Sequence, residues 1–221
     1  METLPRGGGD AAAVEPRLVL KVIDALDSID DAASFGHDAL SALSLAIEFD
    51  HGSYNEIDTS TSTAYFCTWP SELPDNGADR RGFPDLVREN PILRHQERTG
   101  DRSSRRLSDF VTVEELHELG LYQRVYRHIH VEYQLAVALA VKEPVTIAFA
   151  LNRQHSDFSD EDVAVLDMLR PHLVQAYRNA QLLTVLRGID DVLAESGRAL
   201  VVLGNTGVDA RAAPRAQAAL A

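Results

Sequence analysis

His128, His130 and Glu132 alternate along a stretch that reads as the beginning of a strand, and alternate residues of an extended chain share one face. Two imidazoles and a carboxylate at that spacing form a ligand set for a divalent metal. The same spacing describes the wet face of a strand whose other face is Ile129, Val131, Tyr133 and Leu135, and no fourth ligand accompanies the three. The wet-face reading is adopted, so neither a metal nor another cofactor is expected. Cys67, between Phe66 and Trp69, reads as a buried, inert thiol. The carboxylates of Asp24, Asp27, Asp30 and Asp31 fall on the outer face of an amphipathic helix, and those of Asp160, Glu161 and Asp162 at a helix start. Solubility and the helix dipole account for both groups. A nucleophile elbow, a dinucleotide fingerprint and a helical His-Glu-x-x-His are all absent, and Gly7–Gly9 lacks the Lys-Ser/Thr of a phosphate-binding loop. The chain is expected not to be an enzyme.

Charge removes another class. The formal net charge is −13, and a strongly acidic surface repels the phosphate backbone that supplies most nucleic-acid affinity. Direct nucleic-acid binding by this chain is therefore not expected. One basic stretch holds Arg94, Arg98, Arg102, Arg105 and Arg106 against Glu97 and Asp101. It offers an anion patch or a solvated loop, and the lack of interleaved aromatic residues favours the loop. Cys67 is the only cysteine, which excludes an intrachain disulfide framework. The longest apolar run, Leu135–Val141, is far too short to span a bilayer, and the first dozen residues have no apolar signal segment. The cytoplasm is the expected location, with no membrane partner.

These side chains need elements to position them. Residues 1–13, with three glycines and three alanines, can bury little and are expected to be a disordered tail. Pro16 suits a first helical turn, and Leu18, Val19, Val22, Ile23, Leu26 and Ile29 recur at helical spacing. A second helix is predicted from about Ser34 to Glu48. His51–Asp58 and Thr61–Trp69 read as a hairpin. Proline and glycine then break order, so Ser71–Arg106 is predicted to be loop with a short helix near Asp85–Glu89. Thr112 and Glu115 make a capping box for a helix continuing through Tyr122 and Tyr126 despite Gly120. Val131–Val141 and Val145–Leu151 are the clearest strand pair, joined at Lys142-Glu143. Ser159 to Asp162 caps a long helix that Pro171 should bend or split. Its stripe continues as Leu182, Leu186, Ile189 and Leu193, farther than one small domain needs, which points to a homodimer through this C-terminal helix. After Gly197, Ala199–Leu203 reads as a short strand.

Six segments taken in order carry a resemblance. They are Glu48-Phe49-Asp50 with Ser53-Tyr54, Leu107-Ser108-Asp109-Phe110, Leu119-Gly120-Leu121-Tyr122, and Val131-Glu132-Tyr133-Gln134-Leu135. Asn152-Arg153 with Asp157-Phe158-Ser159 follows, then Leu169-Arg170-Pro171-His172-Leu173 with Ala176-Tyr177 and Asn179-Ala180. Together they resemble the N-terminal GAF-like sensor region of bacterial LuxR-type helix-turn-helix transcriptional regulators, over about residues 14–190. The resemblance implies an α+β, GAF/PAS-like fold: a six-stranded antiparallel sheet with the N- and C-terminal helices packed on one face and ligand pockets on the other. It implies a signal-sensing, dimerising regulatory domain, with residues 191–221 as a connector toward a DNA-binding domain that this chain lacks. A dimerisation module with no ligand is the alternative.

In such a fold the pocket lies under the segment between the central strands, roughly Ser71–Arg127. Alternation lets either Ala64, Phe66 and Thr68 or Tyr65, Cys67 and Trp69 face it, and the second set has the larger rings. The expected ligand-binding residues are Tyr65, Cys67, Trp69, Phe83, Phe110, Tyr122, Tyr126 and His128, suited to a flat or amphipathic small molecule. A second core layer built from the same aromatics is an equal reading.

Overall fold

The computed structural model describes residues 15–58, 60–61, 63–72, 83–139, 145–195, 201–202 and 211–212. The expected disordered tail (1–13) and the Lys142-Glu143 turn lie outside the described residues.

In chain order the elements are α1 (Pro16–Asp27), α2 (Phe35–Leu43), β1 (His51–Asp58), β2 (Thr63–Trp69), α3 (Phe83–Val87), α4 (Pro91–Thr99) and β3 (Arg105–Arg106). They continue as α5 (Val113–His117), α6 (Gly120–Arg124), β4 (Tyr133–Leu139), β5 (Val145–Arg153) and α7 (Asp160–Glu195). Two-residue strands β6 (Val201–Val202) and β7 (Arg211–Ala212) pair with each other. The main sheet is antiparallel with order β2-β1-β5-β4-β3. It has five strands among the described residues, where the resemblance implied six.

The two sheet faces carry side chains of different size. Leu135, Val137 and Leu139 of β4 and Ile147, Phe149 and Leu151 of β5 join Val22, Leu26, Phe35, Leu40, Leu166, Leu169 and Leu173 in one core against α1, α2 and α7. The opposite face of the same strands carries Gln134, Ala136, Ala138, Ala148, Ala150 and Asn152, with alanines directly paired across the strands (Ala136 with Ala150, Ala138 with Ala148). A second core covers it, built from Leu86, Ile92, Leu107, Leu116, Leu121, Val125, Tyr126, Ile129 and Val131. The helices thus pack as expected: N- and C-terminal ones on one face, the α3–α6 segment on the other.

Local signals explain the boundaries. Thr112 Oγ1 accepts the Glu115 N–H at 3.2 Å and Glu115 Oε2 accepts the Thr112 N–H at 2.9 Å, which is the predicted capping box. Ser159 Oγ and Asp162 Oδ2 exchange the same pair of bonds at the start of α7. The helix predicted through Tyr126 is instead two, α5 and α6, separated where Leu119 takes an extended conformation (ψ 139°) and α6 starts at Gly120. The Glu89 carboxylate there accepts the Leu121 N–H at 2.9 Å. A whole helix, α4, occupies the predicted loop. Pro91 is its first residue rather than a breaker, and the Asn90 side chain accepts the Ile92 and Leu93 N–H groups. α7 runs 36 residues through Pro171 without splitting. The buried leucines on both sides, Leu166, Leu169 and Leu173, hold the helix to the sheet across the missing hydrogen bond.

Candidate functional site

The alanine floor leaves a space under the second core. A cavity of about 110 Å³ lies between the sheet and the α3–β4 segment. Its floor is Ser53, Asn55, Ala136, Ala148 and Ala150, and its roof is Val87, Ile92, Leu93, Val125 and Ile129. Phe66 and Thr68 of β2 close one side. Among the described residues, the walls carry no Asp, Glu, Lys or Arg.

One end of the cavity is polar and tightly tied. Cross-strand pairing sets His51, Asn152 and Gln134 in a row across β1, β5 and β4. Gln134 Nε2 donates to Asn152 Oδ1 at 2.8 Å, and Asn90 Nδ2 donates to Gln134 Oε1 at 2.8 Å and to the Tyr126 hydroxyl at 3.0 Å. Asn90 Oδ1 meanwhile caps α4. One buried amide therefore joins the roof helix, the roof tyrosine and the floor strand. Two other wall residues are buried without such ties: His51 is 4% exposed and Gln96 9%, and neither His51 Nε2 nor Gln96 Nε2 has a hydrogen-bond partner.

Burial pushes the His51 pKa below its ordinary value of 6.5, with His130 adding to that effect and Asp50 opposing it. Between the folded value and 6.5 the unfolded chain binds a proton that the folded chain does not, so stability falls as pH drops below 6.5. Unfolding free energy from urea titrations is expected to decline between about pH 6.5 and pH 5, by less than about 1.4 kcal/mol per unit from this group. His51→Gln should flatten that decline. An identical decline in the variant would assign it elsewhere.

The predicted site residues distribute unevenly around this cavity. Tyr126 lines it. Cys67 and Trp69 do not. They pack with the terminal-helix core, Cys67 opposite Tyr54 and Trp69 with its ring centroid 5.6 Å from that of Phe49. Tyr65 shares their face, 6.5 Å from the Tyr54 ring and largely exposed. The preference for the larger rings is therefore corrected: register with β1 turns Phe66 and Thr68 toward Asn55 and Ser53, and so toward the cavity. Burial raises the Cys67 pKa, aided by the Glu56 and Asp38 carboxylates, so the thiol stays protonated.

Phe110 and Tyr122 pack at the margin of the second core, Phe110 in a separate surface depression with Leu107, Thr112, Leu116 and Tyr133. Tyr122 stacks on His117 and donates to Glu132 Oε1 at 2.5 Å, while His117 Nε2 lies 2.7 Å from Glu132 Oε2. Desolvation and that carboxylate raise the Tyr122 pKa to about 12. His128 ends a 3-10 turn at Tyr126–His128, 3.0 Å from Arg127 Nε. The Phe83 side chain lies outside the described residues.

The alternation of His128, His130 and Glu132 is also corrected. His130 takes a left-handed conformation (φ 58°) and β4 starts only at Tyr133, so the three do not share a strand face. Three arginines of the arginine-rich stretch are occupied internally: Arg105 meets Asp101 at 2.6 Å, Arg106 meets Asp109 and Asp160, and Arg102 donates to the Leu139 carbonyl.

No family model and no curated protein matches the chain. Solved structures do match. The chain is similar to the LBD domain of VqsR from Pseudomonas aeruginosa (17% identity, TM-score 0.57, 76% of this chain and 96% of that one). It is also similar to the N-acylhomoserine lactone-dependent LuxR-family transcription factor CepR2 from Burkholderia cenocepacia (11%, TM-score 0.53, 76% and 96%). The GAF domain of a phosphoenolpyruvate-protein phosphotransferase from Coxiella burnetii matches at 12% identity and TM-score 0.50, over 77% of this chain and 96% of that one. The fold is the α+β, GAF-like fold that these domains share.

Proposed function

We propose that this chain is a signal-sensing regulatory domain of a bacterial transcription regulator, formed by about residues 14–190, which binds a small molecule in the cavity over Ala136 and Ala150. The observation that supports this best is the asymmetry of the sheet. One face is packed with leucine, isoleucine and phenylalanine, while the other keeps paired alanines beneath a roof that leaves space unfilled. The domain acts by binding and not by catalysis, and its likeness in fold to LuxR-family domains fits that role. A thermal-shift screen of a small-molecule library tests it. Hits are expected that stabilise the natural chain and lose their effect on Ala150→Leu, whose extra carbons enter the cavity. Hits indifferent to Ala150→Leu would overturn the assignment of the cavity.

Homodimerisation through α7 is supported by a second observation. Leu182, Val185, Ile189 and Val192 are 52%, 56%, 42% and 68% exposed and follow a three-four-three spacing. α1 does not cover them, although Arg187 and Thr184 bond the Asp30–Ala32 link beside it. A stripe of this spacing on a helix about 54 Å long fits a partner helix. Sedimentation should show a dimer, and Leu182→Asp should give folded monomers. A monomeric natural chain would contradict it. With a charge of −13 on each chain, the dimer is expected to show no sequence-selective DNA binding.

A further inference from the structure

We infer that the ligand of this cavity is an uncharged molecule with an apolar body and a hydrogen-bonding group, and that His51 and Gln96 are the residues that anchor it. The inference rests on the cavity being the ligand site. The hydrogen bonds of the walls divide into two sets. Asn90, Tyr126, Gln134 and Asn152 bond one another and hold the frame. His51 and Gln96 line the walls and are about nine-tenths buried or more, and the Nε2 atom of each is buried without a partner. An unpartnered buried polar atom costs roughly 1–3 kcal/mol, and a native structure retains few of them. Two on one cavity mark where an incoming molecule supplies the missing bonds. The Gln96 amide nitrogen only donates, so the ligand presents an acceptor oxygen there. The His51 nitrogen donates or accepts according to its tautomer.

Charge and size restrict the ligand further. The described walls hold no ionised partner, so a charged molecule would lose its hydration without compensation. The volume of about 110 Å³ is of the order that holds one six-membered ring, since a protein cavity of about 150 Å³ takes up benzene. The apolar body rests on the methyl groups of Ala136, Ala148 and Ala150 under Ile92, Leu93 and Val125.

Four probes of one shape separate these statements: ethylbenzene, benzamide, benzoate and benzamidine, titrated by heteronuclear NMR against the natural chain, His51→Phe and Gln96→Leu. Benzamide is expected to bind about tenfold more tightly than ethylbenzene and than either charged probe, as about two net hydrogen bonds supply. Each variant should reduce that preference over ethylbenzene while leaving ethylbenzene bound. Both should be at least as stable as the natural chain without ligand, because each removes an unsatisfied buried group. Ethylbenzene binding as well as benzamide, or benzoate or benzamidine binding best, overturns the inference and leaves the cavity a ligand site. Binding of none of the four removes the cavity as a ligand site and the inference with it. If one variant fails to fold, the other still decides whether the preference depends on the anchor.

Discussion

Asn90→Ala is expected to destabilise the chain by about 3 kcal/mol, the largest effect of any single polar truncation around the cavity. The side chain does two things at once. Its carbonyl caps α4 at Ile92 and Leu93, worth about 1 kcal/mol, and its amide bridges the Tyr126 hydroxyl and Gln134. Alanine would leave Gln134 Oε1 short of a donor inside a buried site, at a further 1–3 kcal/mol or so. Asn90→Ser restores the cap alone and should recover about 1 kcal/mol. Urea denaturation of the three proteins measures both steps. A loss below about 1 kcal/mol for alanine would mean that water replaces the network and that the roof helix is held by packing alone.

Gly36→Ala carries the second large effect, on the other side of the sheet. Alanine in a helix interior gains up to about 1 kcal/mol over glycine, and Gly36, the second residue of α2, stands to gain less. Here a Cβ would lie 2.5 Å from Tyr54 Cδ1 and 2.7 Å from Cys67 Sγ, so α2 would have to lift off β1 and β2. Tyr54 cannot give way, because its ring packs in edge contact with Phe35 at 5.6 Å and against Phe149 at 5.2 Å. The clash outweighs the propensity, and a net loss of about 2 kcal/mol is expected. Gly188→Ala is the control: nothing lies within 4 Å of its Cβ, so it should stabilise α7 by about 0.5–1 kcal/mol. Opposite signs at the two glycines are predicted from denaturation midpoints. A stabilising Gly36→Ala would show that α2 sits less closely on the sheet.

The elements most legible in the sequence were those whose cues are local. Thr112 with Glu115 and Ser159 with Asp162 declare their helix starts within four residues, and the alternation of Ile147, Phe149 and Leu151 with alanines declares β5. The cavity floor was legible too, in Leu135-Ala136-Val137-Ala138-Leu139 and Ile147-Ala148-Phe149-Ala150-Leu151, where every second residue is small. Large aromatic rings are no guide to it, since Trp69 fills the helix-side core beside Phe49. Strand parity on β2 depends on register with β1, a long-range property that alternation alone leaves open. α4 is hard to read from sequence because Pro91 marks either a break or a first turn, and only Asn90 before it distinguishes the two. His51 and Gln96 had no local signal at all. A histidine at a strand start and a glutamine on a short helix become notable only when both prove buried and unpartnered.

The central claim, that a small molecule binds over the alanine floor, is tested most directly by a crystal structure of the chain with the tightest hit of the thermal-shift screen. Ligand density is expected between Ala136, Ala148 and Ala150 below and Ile92, Leu93 and Val125 above, with a polar atom of the ligand within hydrogen-bond distance of His51 or Gln96. Density in the Leu107–Thr112 depression instead, with the alanine floor left bare, would contradict it.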